Sequence, residues 1–201
     1  NTVLVGNVYS KLGQYDKPLA YYMEALSINK KINNQEETAT VLRNIGDAYA
    51  DLLQSDKAIP YYEEALGLQK RNNLRSGMAT TLNNMGALYN HMNERKKSLA
   101  CYQDALATAE ALNDTASVAA TLSNIGDQYS RDGEFDKAFQ YLNKALGLEK
   151  RPAYRAIVLN NLGMIYFKLG DYDSALRYLA DALGIERKLN NPHNIAARLN
   201  N

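Results

Sequence analysis

Apolar residues recur along the chain at spacings of three and four and nowhere in strict alternation, the pattern of helices with one buried face. Leu42, Ile45, Gly46 and Tyr49 make one such stretch. Leu82, Met85, Gly86 and Tyr89 repeat it, followed by Leu122, Ile125, Gly126 and Tyr129, and by Leu159, Leu162, Gly163 and Tyr166. Val5, Gly6 and Tyr9 are the tail of an earlier copy. Each stretch is followed by a second apolar series, such as Ala58, Ile59, Tyr62, Ala65, Leu66 and Leu68, so the helices come in pairs. Turns fall at Gly13-Gln14-Tyr15-Asp16, Met92-Asn93-Glu94, Asp132-Gly133-Glu134 and Leu169-Gly170-Asp171. Ser55-Asp56 offers an N-cap oxygen to the helix that follows it. Asn33-Asn34 and Asn72-Asn73 close second helices, asparagine being tolerant of the left-handed conformation used there.

The glycines stand 40 residues apart from Gly6 to Gly126 and 37 apart from there to Gly163. Self-similarity at this period marks a solenoid, in which length counts repeats rather than separate cores. The expected division is one array over 1–201: a partial repeat at 1–34, repeats at 35–74, 75–114, 115–151 and 152–191, and a partial one at 192–201. The shorter step removes three residues around the junction at Arg151-Pro152, where a local change of twist is expected. A mid-helix glycine costs about 1 kcal/mol relative to alanine. A cost that recurs at one place points to close approach by the partner helix. Ala65, Ala105, Ala145 and Ala182, each 19 residues after its glycine, are small for the same reason. Tyr49, Tyr89, Tyr129 and Tyr166 are expected to fill the space between a repeat's two helices and the next repeat.

The set Leu42, Ile45, Gly46, Tyr49, Ala58, Tyr62 and Ala65, and its counterpart Leu159, Leu162, Gly163, Tyr166, Ala175, Leu179 and Ala182, resembles the tetratricopeptide repeat. Pro18 and Ser98 depart from that family's alanine, and Leu142 and Leu179 from its aromatic. Lys70, Glu110, Lys150 and Arg187 replace its proline near each repeat end. The 40-residue period is similar to the longer-helix branch, including kinesin light chains and the repeat domains of bacterial peptide-sensing regulators and sensor kinases. The resemblance implies an all-α, right-handed α-α superhelix of about five repeats with both ends truncated. It further implies a protein–protein interaction module that takes a peptide or extended protein segment in its concave groove, as the sensory or regulatory part of a larger bacterial protein.

On a wheel of about 100° per residue, the first helices leave a polar face opposite the glycines. In this family that face lines the groove. It carries Arg43, Asn44, Asp47 and Asp51; then Asn83, Asn84, Asn90 and His91; then Asn124, Asp127 and Arg131; then Asn160, Asn161 and Lys168. The ladder Asn44, Asn84, Asn124, Asn161 is the most pointed feature. An asparagine amide offers a donor and an acceptor, which match a peptide unit. Two roles are open for it: gripping an extended ligand, or bonding neighbouring repeats and fixing the stack. Arg43, Arg131 and Lys168 suit carboxylates; Asp47, Asp51 and Asp127 suit basic side chains.

Composition narrows the partners. With 23 basic and 22 acidic residues and a net charge of +1, the chain lacks the excess of positive charge that binding nucleic acid calls for. The lone cysteine, Cys101, excludes an intrachain disulfide and a cysteine-rich metal site, and it stands where other repeats have Tyr21, Tyr61 and Tyr141, as packing filler. His91 and His193 lie in different repeats, and no nucleophile motif or phosphate loop occurs, so neither enzyme chemistry, a cofactor nor a metal is expected. No run reaches the roughly 18 apolar residues of a membrane span. The lysines Lys17, Lys57, Lys97 and Lys137 are expected on a solvated outer edge. Both ends fall mid-repeat and the first residue is Asn1, so the chain reads as a fragment. Apolar faces exposed at such ends would let it act instead as a scaffold or homo-oligomer by end-to-end stacking.

Overall fold

A computed structural model of the chain describes residues 2–14 and 16–189. Among the described residues there are ten helices and no strand: α1 (Thr2–Lys11), α2 (Lys17–Lys31), α3 (Gln35–Asp51), α4 (Ser55–Arg71), α5 (Arg75–His91), α6 (Arg95–Ala111), α7 (Thr115–Arg131), α8 (Phe135–Leu148), α9 (Pro152–Lys168) and α10 (Tyr172–Lys188). The first helix expected after Pro192, with His193, lies outside the described residues. The chain divides into two compact units, Asn1–Leu112 and Asn113–Asn201. In the first, α1 pairs with α2, α3 with α4 and α5 with α6, and each hairpin packs on the next; in the second, α7 pairs with α8 and α9 with α10.

The recurring glycine explains the pairing. A Cβ added at Gly6, Gly46 or Gly86 would lie 2.5, 2.7 or 2.6 Å from the ring of Tyr22, Tyr62 or Tyr102. At Gly126 and Gly163 the same neighbour is Leu142 or Leu179, at 2.6 and 2.9 Å. The residue 16 after each glycine therefore fills the space where a side chain would have been. Tyr62, Tyr102 and Leu142 are almost wholly buried there, and each such burial contributes roughly 1.5–3 kcal/mol. This offsets the glycine's helix penalty. The alanines at +19 are fully buried as well. Ser98, which departs from the family's alanine, is buried and donates to the Gly86 carbonyl at 2.8 Å.

The tyrosines three after the glycines stack within their own hairpins: Tyr9 on Tyr21, Tyr49 on Tyr61, Tyr129 on Tyr141 and Tyr166 on Tyr178, with centroids 5.3–5.6 Å apart. Tyr166 also meets Phe139 of the preceding hairpin at 4.9 Å, the gap-filling role expected of it. Cys101 replaces the stacking partner in the third hairpin and is half-buried beside Tyr89. The lysines on the outer edge do more than dissolve. Lys17, Lys57, Lys97 and Lys137 are exposed, yet each sits over the neighbouring tyrosine ring at 5.1–5.7 Å, a cation–π contact that orders them.

The described turns share one left-handed residue: Gly13, Asn33, Leu53, Asn73, Asn93, Asn113, Gly133 and Gly170. Asparagine and glycine accept that conformation readily, leucine does not. Helix starts are less uniform. Asn34, Asp114 and Asp171 cap α3, α7 and α10 through their side chains. Ser55 does not cap α4. It is the first helical residue, and the N-cap is Gln54, which makes no side-chain cap bond. The 37-residue step also has a different origin from the one expected: α8 has 14 residues where α4 and α6 have 17. Its last turn is missing, and an extended link at Glu149 and Arg151 replaces the left-handed turn. Arg155 donates to the carbonyls of Leu146 (2.8 Å) and Glu149 (3.1 Å), closing the shortened end. Buried Glu149 is gripped by Arg151 through Nε at 2.8 Å, Nη2 at 2.7 Å and the backbone N–H at 2.9 Å. These bonds hold the Glu149 carboxyl below its ordinary range.

Candidate protein-binding face

In the first unit, α3 and α5 lie side by side and turn their glycine-bearing faces toward α4 and α6. Their opposite faces form a polar seam with a cleft at each end. The larger holds about 560 Å³ between the C-terminal halves of the two helices. Asp47, Asp51, Asn84 and His91 line it, with Ser10 of α1, Leu53 of the turn and Tyr62 of α4. The smaller, about 280 Å³, lies between Glu36, Thr40 and Arg43 of α3 and Ser76, Gly77 and Thr80 of α5, with Gln69 of α4 among its walls.

Asp47 is the hub of the seam. Its Oδ1 accepts from the Tyr62 hydroxyl at 2.7 Å and from the Asn84 amide at 2.8 Å, and Arg43 stands 3.5 Å from Oδ2. The preceding repeat builds the same node with a neutral acceptor. Tyr22 and Asn44 both donate to Asn7 Oδ1, at 2.7 and 3.3 Å. Burial pushes the Asp47 carboxyl above its ordinary range, against the opposing pull of Arg43, Tyr62 and Asn84. Asp51 is also raised, by burial first and by Asp47 second. The Tyr62 hydroxyl is raised by burial and by the Asp47 charge. The larger cleft thus carries two carboxyl groups, Asp47 and Asp51, the first already engaged by Tyr62 and Asn84.

The residues singled out from sequence divide accordingly. Arg43, Asp47, Asn84 and His91 line the clefts. Asn44 is buried on Asn7. Asn83 and Asn90 are half-buried and line neither cleft. For Asn44 and Asn84 the bonding of neighbouring repeats is therefore observed directly. Asn84 lines the larger cleft with its NH₂ bonded to Asp47. In the second unit, α7 and α9 make the corresponding face. There Asp127 pairs with Arg131 at 2.9 Å, Lys168 donates to the Ser130 carbonyl at 3.3 Å, Asn124 and Asn161 are half-buried, and the Asn160 Oδ1 is buried without a hydrogen-bond partner among the described residues. Asn7, Tyr62, Gln69 and the first turn of α5 were not singled out. The first two had a signal, a polar residue one after the glycine matched by tyrosine 16 after it. Gln69 had none, because it lies on a second helix.

Among the described residues no three of His, Cys, Asp and Glu gather as a metal site would need, and no helix is long and apolar enough to cross a membrane.

Helix hairpins stacked in register, with an outer polar seam across successive first helices, define a helical-repeat interaction scaffold. The family model described as tetratricopeptide repeat matches residues 1–71, 77–150 and 154–201, and the chain belongs to the tetratricopeptide repeat family. No curated protein matches the chain. Solved structures of the same fold include BtubC (BKLC) from P. vanneervenii, 23% identical with a TM-score of 0.79 over 94% of this chain and 80% of that one. A Podosopora anserina putative kinesin light chain with nearly identical TPR-like repeats is 14% identical, with a TM-score of 0.70 over 94% and 95%. A Rap protein complexed with Competence and Sporulation Factor is 18% identical, with a TM-score of 0.86, covering 94% of this chain and 54% of that chain.

Proposed function

We propose that the chain is a non-enzymatic binding module that takes an extended protein segment along the α3/α5 seam and relays its occupancy as the regulatory part of a larger bacterial protein. The supporting observation is the seam itself. Two clefts at its ends are separated by Arg43 and Asp47, so groups of both signs and neutral amides lie in one row. Such a row suits a chain of mixed side chains better than a uniformly charged polymer. The fold shared with a Rap protein complexed with Competence and Sporulation Factor is consistent with this reading. By the same reading, Asn124, Asp127, Arg131, Asn160, Asn161 and Lys168 are the candidate contacts on the second unit's own α7/α9 face. The test is a peptide-library screen against the chain, with the Asn84→Ala/Asn124→Ala variant in parallel. Binding weakened in a variant that stays folded is expected. Binding indifferent to the substitutions, or no binding, would refute the assignment.

A second reading is self-association. Leu4, Val5, Val8 and Leu12 are exposed on or just beyond α1, an apolar strip of the kind that association covers. Light scattering over a concentration series tests it, and a strict monomer excludes it.

A further inference from the structure

The first helices agree on their last turn, with one exception. The residue five after the glycine is Lys11 in α1, His91 in α5, Arg131 in α7 and Lys168 in α9. A basic group there meets the negative end of the helix dipole, which favours it. In α3 the same position holds Asp51, and the last turn has no basic residue. A second exception stands two residues further on. The left-handed residue after a first helix is Gly13, Asn93, Gly133 or Gly170, but after α3 it is Leu53, which is 88% exposed. An acid at a helix C-terminus and a leucine at positive φ are both locally unfavourable. Both line the larger cleft, and residues that break a local rule without a local gain are expected at functional sites.

The fourth repeat shows what the exception changes. In α7, Asp127 follows the glycine and accepts from Arg131 Nε at 2.9 Å. In α3, Asp47 follows the glycine and Asp51 stands where α7 has its arginine. The pair one turn apart is therefore of like charge, which destabilises a helix. Arg43 lies about two turns before Asp51 and approaches Asp47 alone, at 3.5 Å. The exposed Asp51 carboxylate forms no hydrogen bond or ion pair among the described residues. Ala50, Leu53 and Ala87 add apolar wall beside the two carboxyl groups. The cleft thus pairs unneutralised negative charge with an apolar surface, and about 560 Å³ is ample for one long side chain.

We propose that the larger cleft takes the guanidinium of an arginine side chain of the bound segment, an assignment that rests on the binding function proposed above. The guest guanidinium pairs with the Asp51 carboxylate and sets its charge beside Asp47, as Arg131 does for Asp127 within the chain. Its alkyl stem lies along Leu53, Ala50 and Ala87. A planar guanidinium meets a carboxylate through two N–H donors at once, whereas an ammonium is a point charge. Citrulline has the shape of arginine without the charge and leaves the two carboxylates as they are.

The test is ¹H–¹⁵N NMR on the chain at neutral pH with three probes: N-acetyl-arginine N′-methylamide and its lysine and citrulline counterparts. The arginine probe is expected to shift the Asp51, Leu53 and Ala87 amides and the Asn84 side-chain NH₂ saturably. The lysine probe should bind more weakly, and the citrulline probe should leave these resonances in place. Asp51→Asn should weaken the arginine response about fivefold. Asp51→Arg, which restores the basic residue of the other repeats, should abolish it while raising the melting temperature, because an opposite pair replaces a like one. Leu53→Gly should weaken it and raise the melting temperature as well. No saturable shift up to the probe's solubility limit overturns the proposal, as does a response that survives Asp51→Arg. A citrulline response equal to that of arginine would show that charge plays no part, and an equal lysine response that the guanidinium is not what is read; either overturns the assignment. If library peptides without arginine bind the seam as tightly as those with it, the guanidinium assignment fails and the binding function stands.

Discussion

Replacing Asp47 by alanine and by asparagine separates its role as an acceptor from its role as a charge. Alanine leaves the Tyr62 hydroxyl, at 1% exposure, without its 2.7 Å acceptor and frees the Asn84 amide. A buried donor left unsatisfied costs about 1–3 kcal/mol, and bonds to a charged acceptor contribute about 1.5–3 kcal/mol. Asp47→Ala should therefore destabilise by about 3–4 kcal/mol. Asparagine keeps an oxygen in place, as Asn7 does for Tyr22 and Asn44. It loses the partly exposed pair with Arg43, which contributes roughly 0–1 kcal/mol, and it removes a charge that burial disfavours. Asp47→Asn should thus lie within about 1 kcal/mol of the wild type. The pH dependence has a definite sign. The folded carboxyl is raised above its ordinary 3.8, so the folded state binds its proton more tightly than the unfolded state. That contribution is fully present below 3.8 and is lost as pH rises through the raised value. Relative to the wild type, Asp47→Asn should therefore gain most at neutral pH, with the gain shrinking on acidification. Urea unfolding followed by circular dichroism at a series of pH values measures all three quantities. Equal loss in the alanine and asparagine variants, or an asparagine advantage that grows on acidification, would refute the hub.

Gly86→Ala should destabilise by more than about 2 kcal/mol through overpacking against Tyr102. By contrast Gly147→Ala, whose Cβ would meet nothing within 4 Å, should stabilise by about 0.5–1 kcal/mol in thermal melts. Leu53 is left-handed at φ 57° and 88% exposed, so Leu53→Gly should raise stability by about 1 kcal/mol in the same assay; a loss would show that its side chain is needed at the cleft mouth. Arg151→Ala should cost about 3 kcal/mol at neutral pH by stranding the buried Glu149 carboxylate. Because the Glu149 carboxyl is lowered from 4.5 in the folded state, its contribution is present above 4.5 and lost as pH falls through the lowered value. The gap between Arg151→Ala and the wild type should therefore close in acid, as urea midpoints measure.

The hairpins were legible because the glycine and the residue 16 beyond it state one packing contact twice, from both sides. Asn93, Gly133 and Gly170 marked turns because few residues accept a positive φ. What escaped depends on directions that spacing does not carry. The ladder position of Asn84 was readable, but the orientation of its amide toward Asp47 was not, since that follows from where Tyr62 places its hydroxyl. Ser55 had the chemistry of a cap, yet the left-handed Leu53 starts the helix one residue sooner. The missing residues of the 37-residue step were countable, but their loss from the end of α8 rests on Arg155 closing that end. The clefts draw on Tyr62 and Gln69, which reach the seam from second helices that a wheel of the first helices does not include.

The central claim is that an extended segment lies on the α3/α5 seam. Backbone NMR of the chain, titrated with the best peptide from the library screen, tests it most directly. Shifts confined to Thr40, Arg43 and Asp47 on α3 and to Thr80, Asn84 and Ala87 on α5 are the predicted result. Shifts on the outer surfaces of α2, α4 and α6, with the seam unperturbed, would contradict it.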